Sequence, residues 1–377
     1  MNRILLSLLF VVCGITMSYA QVVPNPGFEQ WNEFELYDEP ESYFTTNNNS
    51  YLFGGAPGIT RAPGQQFGNT ALRMEVDASV FLGFQPIVYA LDLNDPTRGG
   101  VPFTGQPDSL EGFFNYQLSV DDTFSLALIF KTQGTIVGFQ QLDITGSSNG
   151  QFERIVIPVS PLPIPPDTVG VVMGIGVLSG TASIGDFVEI DELNFINSTD
   201  QLPNHQFEDW NTLSFEEPEN WTSINLISVL SGNSKVSVQK STDAYEGNYA
   251  ARVESVAFEF FGQADTAGIL AISDLSGNSG FAYSGGHNLF QFYYKFEPEN
   301  PNVDKAFVNV QMRNDGNVLN DFIMELSPSQ TYTRAQLEIS DLPEAPDSCQ
   351  IFFIVGVSDT IDFTYNLGSV LYLDALS

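Results

Sequence analysis

The side chains of this sequence best suited to chemistry are aromatic rings set among carboxylates, and histidine is scarce. With only His205 and His287, the chain offers no paired general base for a serine or cysteine nucleophile and no zinc cluster. Glycoside hydrolysis needs only two carboxylates, and the chain has 46 acidic residues. The doublets Asp121-Asp122 and Glu216-Glu217, however, lie in apparent turns, where solvated surface charge is the plain reading. No catalytic residue is assigned. Rings offer a different chemistry, because a pyranose stacks its apolar C–H face on a flat ring and bonds its polar rim to side chains alongside. Tyr43, Tyr51, Trp221, Tyr245 and Tyr283 are the candidates for such contacts, each competing with the commoner use of a ring as packing. The chain has 31 Phe against 14 Tyr and 3 Trp, a balance that favours cores over platforms.

The elements that must position these rings are written twice. Val23-Pro24-Asn25-Pro26-Gly27-Phe28-Glu29-Gln30-Trp31-Asn32 returns as Leu202-Pro203-Asn204-His205-Gln206-Phe207-Glu208-Asp209-Trp210-Asn211. Pro40-Glu41 returns as Pro218-Glu219, with Tyr43 answered by Trp221. Gly68-Asn69 through Arg73 and Glu75 returns as Gly247-Asn248 through Arg252 and Glu254, and Val188 to Leu193 returns as Leu371 to Leu376. A period this long exceeds the roughly 20 to 50 residues of solenoid repeats, so each copy is expected to be a domain with its own core. The expected division is a signal segment 1–20, copy one 21–196, a joint 197–201 and copy two 202–377. Because Trp31 and Trp210 are fixed parts of the repeat, they are read as packing. Arg73 and Arg252, each two residues before a Glu on the same strand face, are read as ion-pair partners.

Arg3, the apolar run Ile4 to Val12 and the small-residue site Ser18-Tyr19-Ala20 read as a cleaved export signal. The expected location is extracellular or at the cell surface, or the periplasm. No later apolar run reaches the roughly 20 residues that span a bilayer, so no membrane insertion is expected. Removing the signal leaves Cys349 as the only cysteine, which excludes an intrachain disulfide. The formal net charge of −33 argues against nucleic acid as a partner.

Short runs rich in aromatic and β-branched residues, such as Phe124 to Leu128, Phe307 to Met312 and Ile351 to Val355, alternate with dense turn signals such as Asn149-Gly150 and Asn314-Asp315-Gly316. The expected fold is all-β, two tandem β-sandwiches of jelly-roll type. The ordered motifs Asn-x-x-Phe-Glu-x-Trp, Gly-Asn-x-Ala-x-Arg and the closing hydrophobic-x-hydrophobic-Asp-x-Leu resemble the galactose-binding-like jelly-roll carbohydrate-binding modules. Pro102 to Gly105, Pro107 to Phe114, Leu289 to Tyr294 and Gly368-Ser369 are similar to the carbohydrate metabolism domain (PCMD) of surface proteins from glycan-degrading Gram-negative bacteria. The resemblance implies a non-catalytic glycan-binding protein, with a structural or adhesive surface protein as the alternative and a glycoside hydrolase third. It also implies a structural calcium ion, with Glu29 and Asp191 as ligands in copy one and Glu208 and Asp374 in copy two. Against calcium stands the reading that these carboxylates accept backbone or Arg73 hydrogen bonds. Copy two carries Gly286-His287-Asn288 where copy one has Pro107-Asp108-Ser109. If that loop meets a ligand, the copies differ in specificity.

Overall fold

The computed structural model describes residues 23–377 apart from 53–54, 65–67, 79–84, 92–94, 96, 178–179, 232–234, 261–262, 273–279 and 360–363. The expected signal segment lies outside the described residues. The chain is nearly all antiparallel β, in two sandwiches. Period-two alternation builds them. In Leu289–Glu297 the side chains of Phe290, Phe292, Tyr294 and Phe296 point into a core, while Gln291, Tyr293 and Lys295 take the other face.

In the first sandwich a sheet ordered Glu153–Pro158, Ser109–Gln117, Phe187–Ile196, Thr70–Glu75, Ile59–Pro63 faces one built on Thr168–Ile175 and Phe124–Thr132. In the second, Val238–Ser241, Ala250–Glu254, Val370–Asp374, Leu289–Glu297 and Ser329–Glu338 form the matching five-stranded sheet, opposite one built on Ser348–Asp359 and Lys305–Asn314. Each pair of sheets encloses a phenylalanine-rich core, with Phe103, Phe114, Phe124 and Phe130 in the first and Phe292, Phe296 and Phe353 in the second. This is the expected jelly-roll class of fold. A buried asparagine stitches each edge: Asn47 exchanges hydrogen bonds with the backbone of Ile59, and Asn225 does the same with Val238. Strand register aligns Asp108 with Asn288, one residue away from the match made on sequence alone. Val159 N–H donates to the Asp108 carbonyl just as Ile339 N–H donates to that of Asn288.

The packing crosses the sequence repeat. Phe28, from copy one, is fully buried in the second core, 5.2 Å from Trp221, whose indole N–H donates to the Pro24 carbonyl. Phe207, from copy two, is fully buried in the first core, 5.8 Å from Tyr43, whose hydroxyl donates to the Pro203 carbonyl. The N-terminal segments have therefore changed places. Between the sandwiches their continuations, Trp31–Pro40 and Trp210–Pro218, pair antiparallel from Trp31 with Pro218 to Pro40 with Trp210, and Phe34 stacks on Phe215 at 5.3 Å near the centre. Across the boundaries 21–196 and 202–377 expected from the repeat, each sandwich takes its first segment from the other copy.

Candidate functional site

The exchanged segments end in carboxylates that hold loops of the opposite copy. Glu29 Oε1 accepts the amides of Asn248 (2.7 Å) and Tyr249 (3.1 Å), and its Oε2 accepts Asn248 Nδ2 (3.2 Å). On the last strand Asp374 Oδ2 accepts the amides of Tyr245 (2.7 Å) and Glu246 (2.9 Å), and its Oδ1 accepts that of Ala375 (2.7 Å). Glu208 does the same in the first sandwich, accepting the amides of Asn69 (2.8 Å) and Thr70 (2.9 Å). The Gly-Asn of each repeat follows from this. Gly68 and Gly247 have φ of +62° and +71°, and a Cβ at either would collide with the incoming carboxylate.

The expected calcium pairings are therefore exchanged: Glu29 joins Asp374, and Glu208 reaches the sandwich that holds the fully buried Asp191. At the Glu29 and Asp374 pair the residues present do not fit the ion. Calcium takes six to eight oxygen ligands, and every carboxylate oxygen of Glu29 and Asp374 is aimed at an N–H donor. Desolvation acts to raise the Glu29 pKa, but the amides of Tyr249 and Asn248 outweigh it and hold the group below the usual glutamate range. Burial wins at Asp374, whose pKa is raised despite its three amides.

The loop these carboxylates hold carries Tyr245, and Tyr245 completes an aromatic face. Its ring stacks on Tyr293 with centroids 3.6 Å apart and planes within 10°, and Tyr332 stands 5.9 Å away. Tyr245 is 44 % exposed. Beneath the rings Lys295 pairs with Asp243 and lies 5.3 Å from the Tyr332 ring and 4.1 Å from that of Tyr372. The Tyr332 hydroxyl donates to the Asp243 carbonyl (2.6 Å), and burial, then the Asp243 charge, raises its pKa. Cross-strand pairing sets polar groups in rows beside the rings: Tyr293 opposite Arg334, Gln291 opposite Gln336, and Tyr372 opposite Arg252. Arg334 and Gln336 are exposed. The outer face of this sheet thus offers stacked rings flanked by amide and guanidinium donors, the pairing that a pyranose face and rim require.

The corresponding face of the first sandwich is built differently. Arg73 is bound to Glu189 (2.6 Å) and Glu75 (2.9 Å) and lies 4.1 Å from the Phe187 ring, Asn115 donates to Glu189 (2.8 Å), and Arg154 pairs with Glu111. Phe113 stands where the second sandwich has Tyr293.

Of the five sequence candidates, Tyr245 alone lies on this face. Tyr43, Trp221 and Tyr283 are buried, because each fills a core position and bonds inward, Tyr283 through its hydroxyl to the His287 carbonyl (3.2 Å). Tyr51 packs 5.8 Å from Tyr37 beside the exchanged strands. Trp31 and Trp210 are half-buried, each donating its indole N–H to the carbonyl of the buried Phe three residues before it (2.6 Å). Tyr293, Tyr332 and Tyr372 were missed. For Tyr293 the signal was present: it alternates with Phe292 and Tyr294 in a run that buries every second residue.

No family model and no curated protein matches the chain. Among solved structures it is similar to a provisionally assigned glycoside hydrolase of Bacteroides thetaiotaomicron, at 15 % identity over 47 % of this chain and 71 % of that one, with a TM-score of 0.35. It is also similar to the family 11 carbohydrate-binding module of Clostridium thermocellum, at 14 % identity over 42 % and 87 % of the two chains, with a TM-score of 0.26. The tandem CBM22 modules of Paenibacillus barcinonensis Xyn10C align with both repeats at once, at 9 % identity over 93 % of this chain and 94 % of that one, with a TM-score of 0.24.

Proposed function

We propose that the protein is an exported, non-catalytic glycan-binding protein whose binding face is the outer surface of the second sandwich's five-stranded sheet. The observation that carries this is the exposed Tyr245 ring laid on Tyr293 beside Arg334, Gln336 and Gln291. Two parallel rings are a stiff apolar surface that loses little side-chain entropy on contact, and the adjoining amides and guanidinium supply donors and acceptors for hydroxyls. The first sandwich, with ion pairs over phenylalanine on the same face, serves as a scaffold for the second. Binding is therefore single-site, without the avidity of two like modules.

Native electrophoresis of residues 21–377 in gels cast with galactan, mixed-linkage glucan, polygalacturonate or carrageenan tests the reading. Retardation in one gel, reduced about tenfold in affinity by Y245A or Y293A with unchanged thermal unfolding, is the expected result. Equal retardation of wild type and both variants would place binding elsewhere. No retardation in any gel would favour the structural or adhesive alternative.

A further inference from the structure

We infer that Glu29, a residue of the first repeat, is a positioning residue for the glycan face of the second, so that neither repeat carries a complete site by itself. This rests on the proposed binding face and deepens it. Tyr245 lies in the loop between Val238–Ser241 and Ala250–Glu254, and that loop is held from two sides. Asp374 takes the amides at 245 and 246, while Glu29 takes those at 248 and 249. Consecutive amides converging on two carboxylates leave the loop little freedom, and charge-assisted bonds of this kind are stronger than neutral ones. Asp374 is itself seated against the exchanged segment: its Oδ1 lies 3.7 Å from the point where a Cβ on Gly27 would stand, and Leu376 N–H donates to the Pro26 carbonyl (2.9 Å). Tyr249, whose amide Glu29 holds, also faces Lys240 at 5.5 Å, and Lys240 lies 5.6 Å from the Trp31 ring. Through Phe28 the same segment is anchored in the second core. The first repeat thus fixes the ring that the second repeat presents.

The pseudo-symmetric Glu208 supplies an internal control, because it takes the amides of Asn69 and Thr70 in the first sandwich just as Glu29 takes those of Asn248 and Tyr249 in the second. E29A and E208A each delete one carboxylate with two amide partners, so their effects on folding should be alike. Hydrogen exchange followed by mass spectrometry reads the amides of 245–249 directly, and retardation in the four polysaccharide gels reads binding. E29A is expected to speed exchange at 245–249 and weaken retardation about tenfold, while E208A leaves both near wild type. E29Q, which keeps an acceptor oxygen, should recover most of both. Equal loss of retardation in E29A and E208A, or unchanged exchange at 245–249 in E29A, would overturn the assignment. If Y245A leaves retardation unaltered, the binding face is wrong, and the exchange data still decide whether Glu29 positions the loop.

Discussion

At the scale of single residues, the two copies share one pair of buried carboxyls and differ at another. Glu39 and Glu217 occupy equivalent places near the ends of the exchanged strands, each accepting a hydroxyl bond at 2.7 Å, from Thr45 and Ser223. The second oxygen of each is buried and, among the described residues, without a hydrogen-bond partner. Desolvation pushes Glu39 up to about 7 and Glu217 up to about 8. A folded-state pKa above the unfolded one means that folding retains a proton. The resulting stability is full below the ordinary value of 4.5 and is lost as pH rises through about 8. E217Q should remove the Glu217 share of that slope, leaving thermal unfolding at pH 4 nearly unchanged and raising stability at pH 9 by about 4 to 5 kcal/mol; a scan of unfolding temperature against pH checks both ends. In the first sandwich Asp186 accepts the Ser119 amide (2.9 Å) and hydroxyl (2.8 Å), and burial, with the neighbouring Asp122 adding to it, raises its pKa. The second sandwich replaces that arrangement with a Ser369 hydroxyl donating to Asp304 (2.8 Å). The copies thus share a fold while answering the same buried position with different chemistry.

At the scale of elements, the antiparallel ribbon of Trp31–Pro40 and Trp210–Pro218 works as a pair of crossed anchors. Burial of Phe28 contributes to the core of the second sandwich alone, so F28A should lower stability by about 3 to 5 kcal/mol and loosen amides of Lys305–Asn314 before those of Phe124–Thr132. Hydrogen exchange resolved by strand would show the asymmetry, and F207A should invert it. The strands themselves were legible: Phe124 to Leu128, Phe307 to Met312 and Ile351 to Val355 all fall inside observed strands, because alternation and turn chemistry are local. The crossing was not legible. A repeat reveals which residues are equivalent, and Phe28 and Phe207 make equivalent contacts whichever sandwich they enter. The burial of two candidate rings was not legible for a related reason. Tyr43 and Trp221 recur because the core takes them, whereas Tyr245 and Tyr293, which stack on the outer face, differ between copies.

At the scale of the whole molecule, two sandwiches that exchange their first segments are held together by more than the joint at 197–201. A protease site placed in that joint should be cleavable without separating the halves, which would elute as one species in size-exclusion chromatography at micromolar concentration and part only in denaturant. Two independent modules on a linker would separate at once. Across one junction His205 accepts the amide of Leu193, and 197–201 spans it. Across its pseudo-symmetric counterpart Pro26 accepts the amide of Leu376, and Val23 and Ser377 line the same cavity. The two junctions are therefore equivalent places in the fold, one bridged by 197–201 and the other bringing Val23 and Ser377 together. A circular permutant that joins Ser377 to Val23 through a short loop and begins at residue 202 should reach the same fold, with an unfolding temperature close to that of the parent.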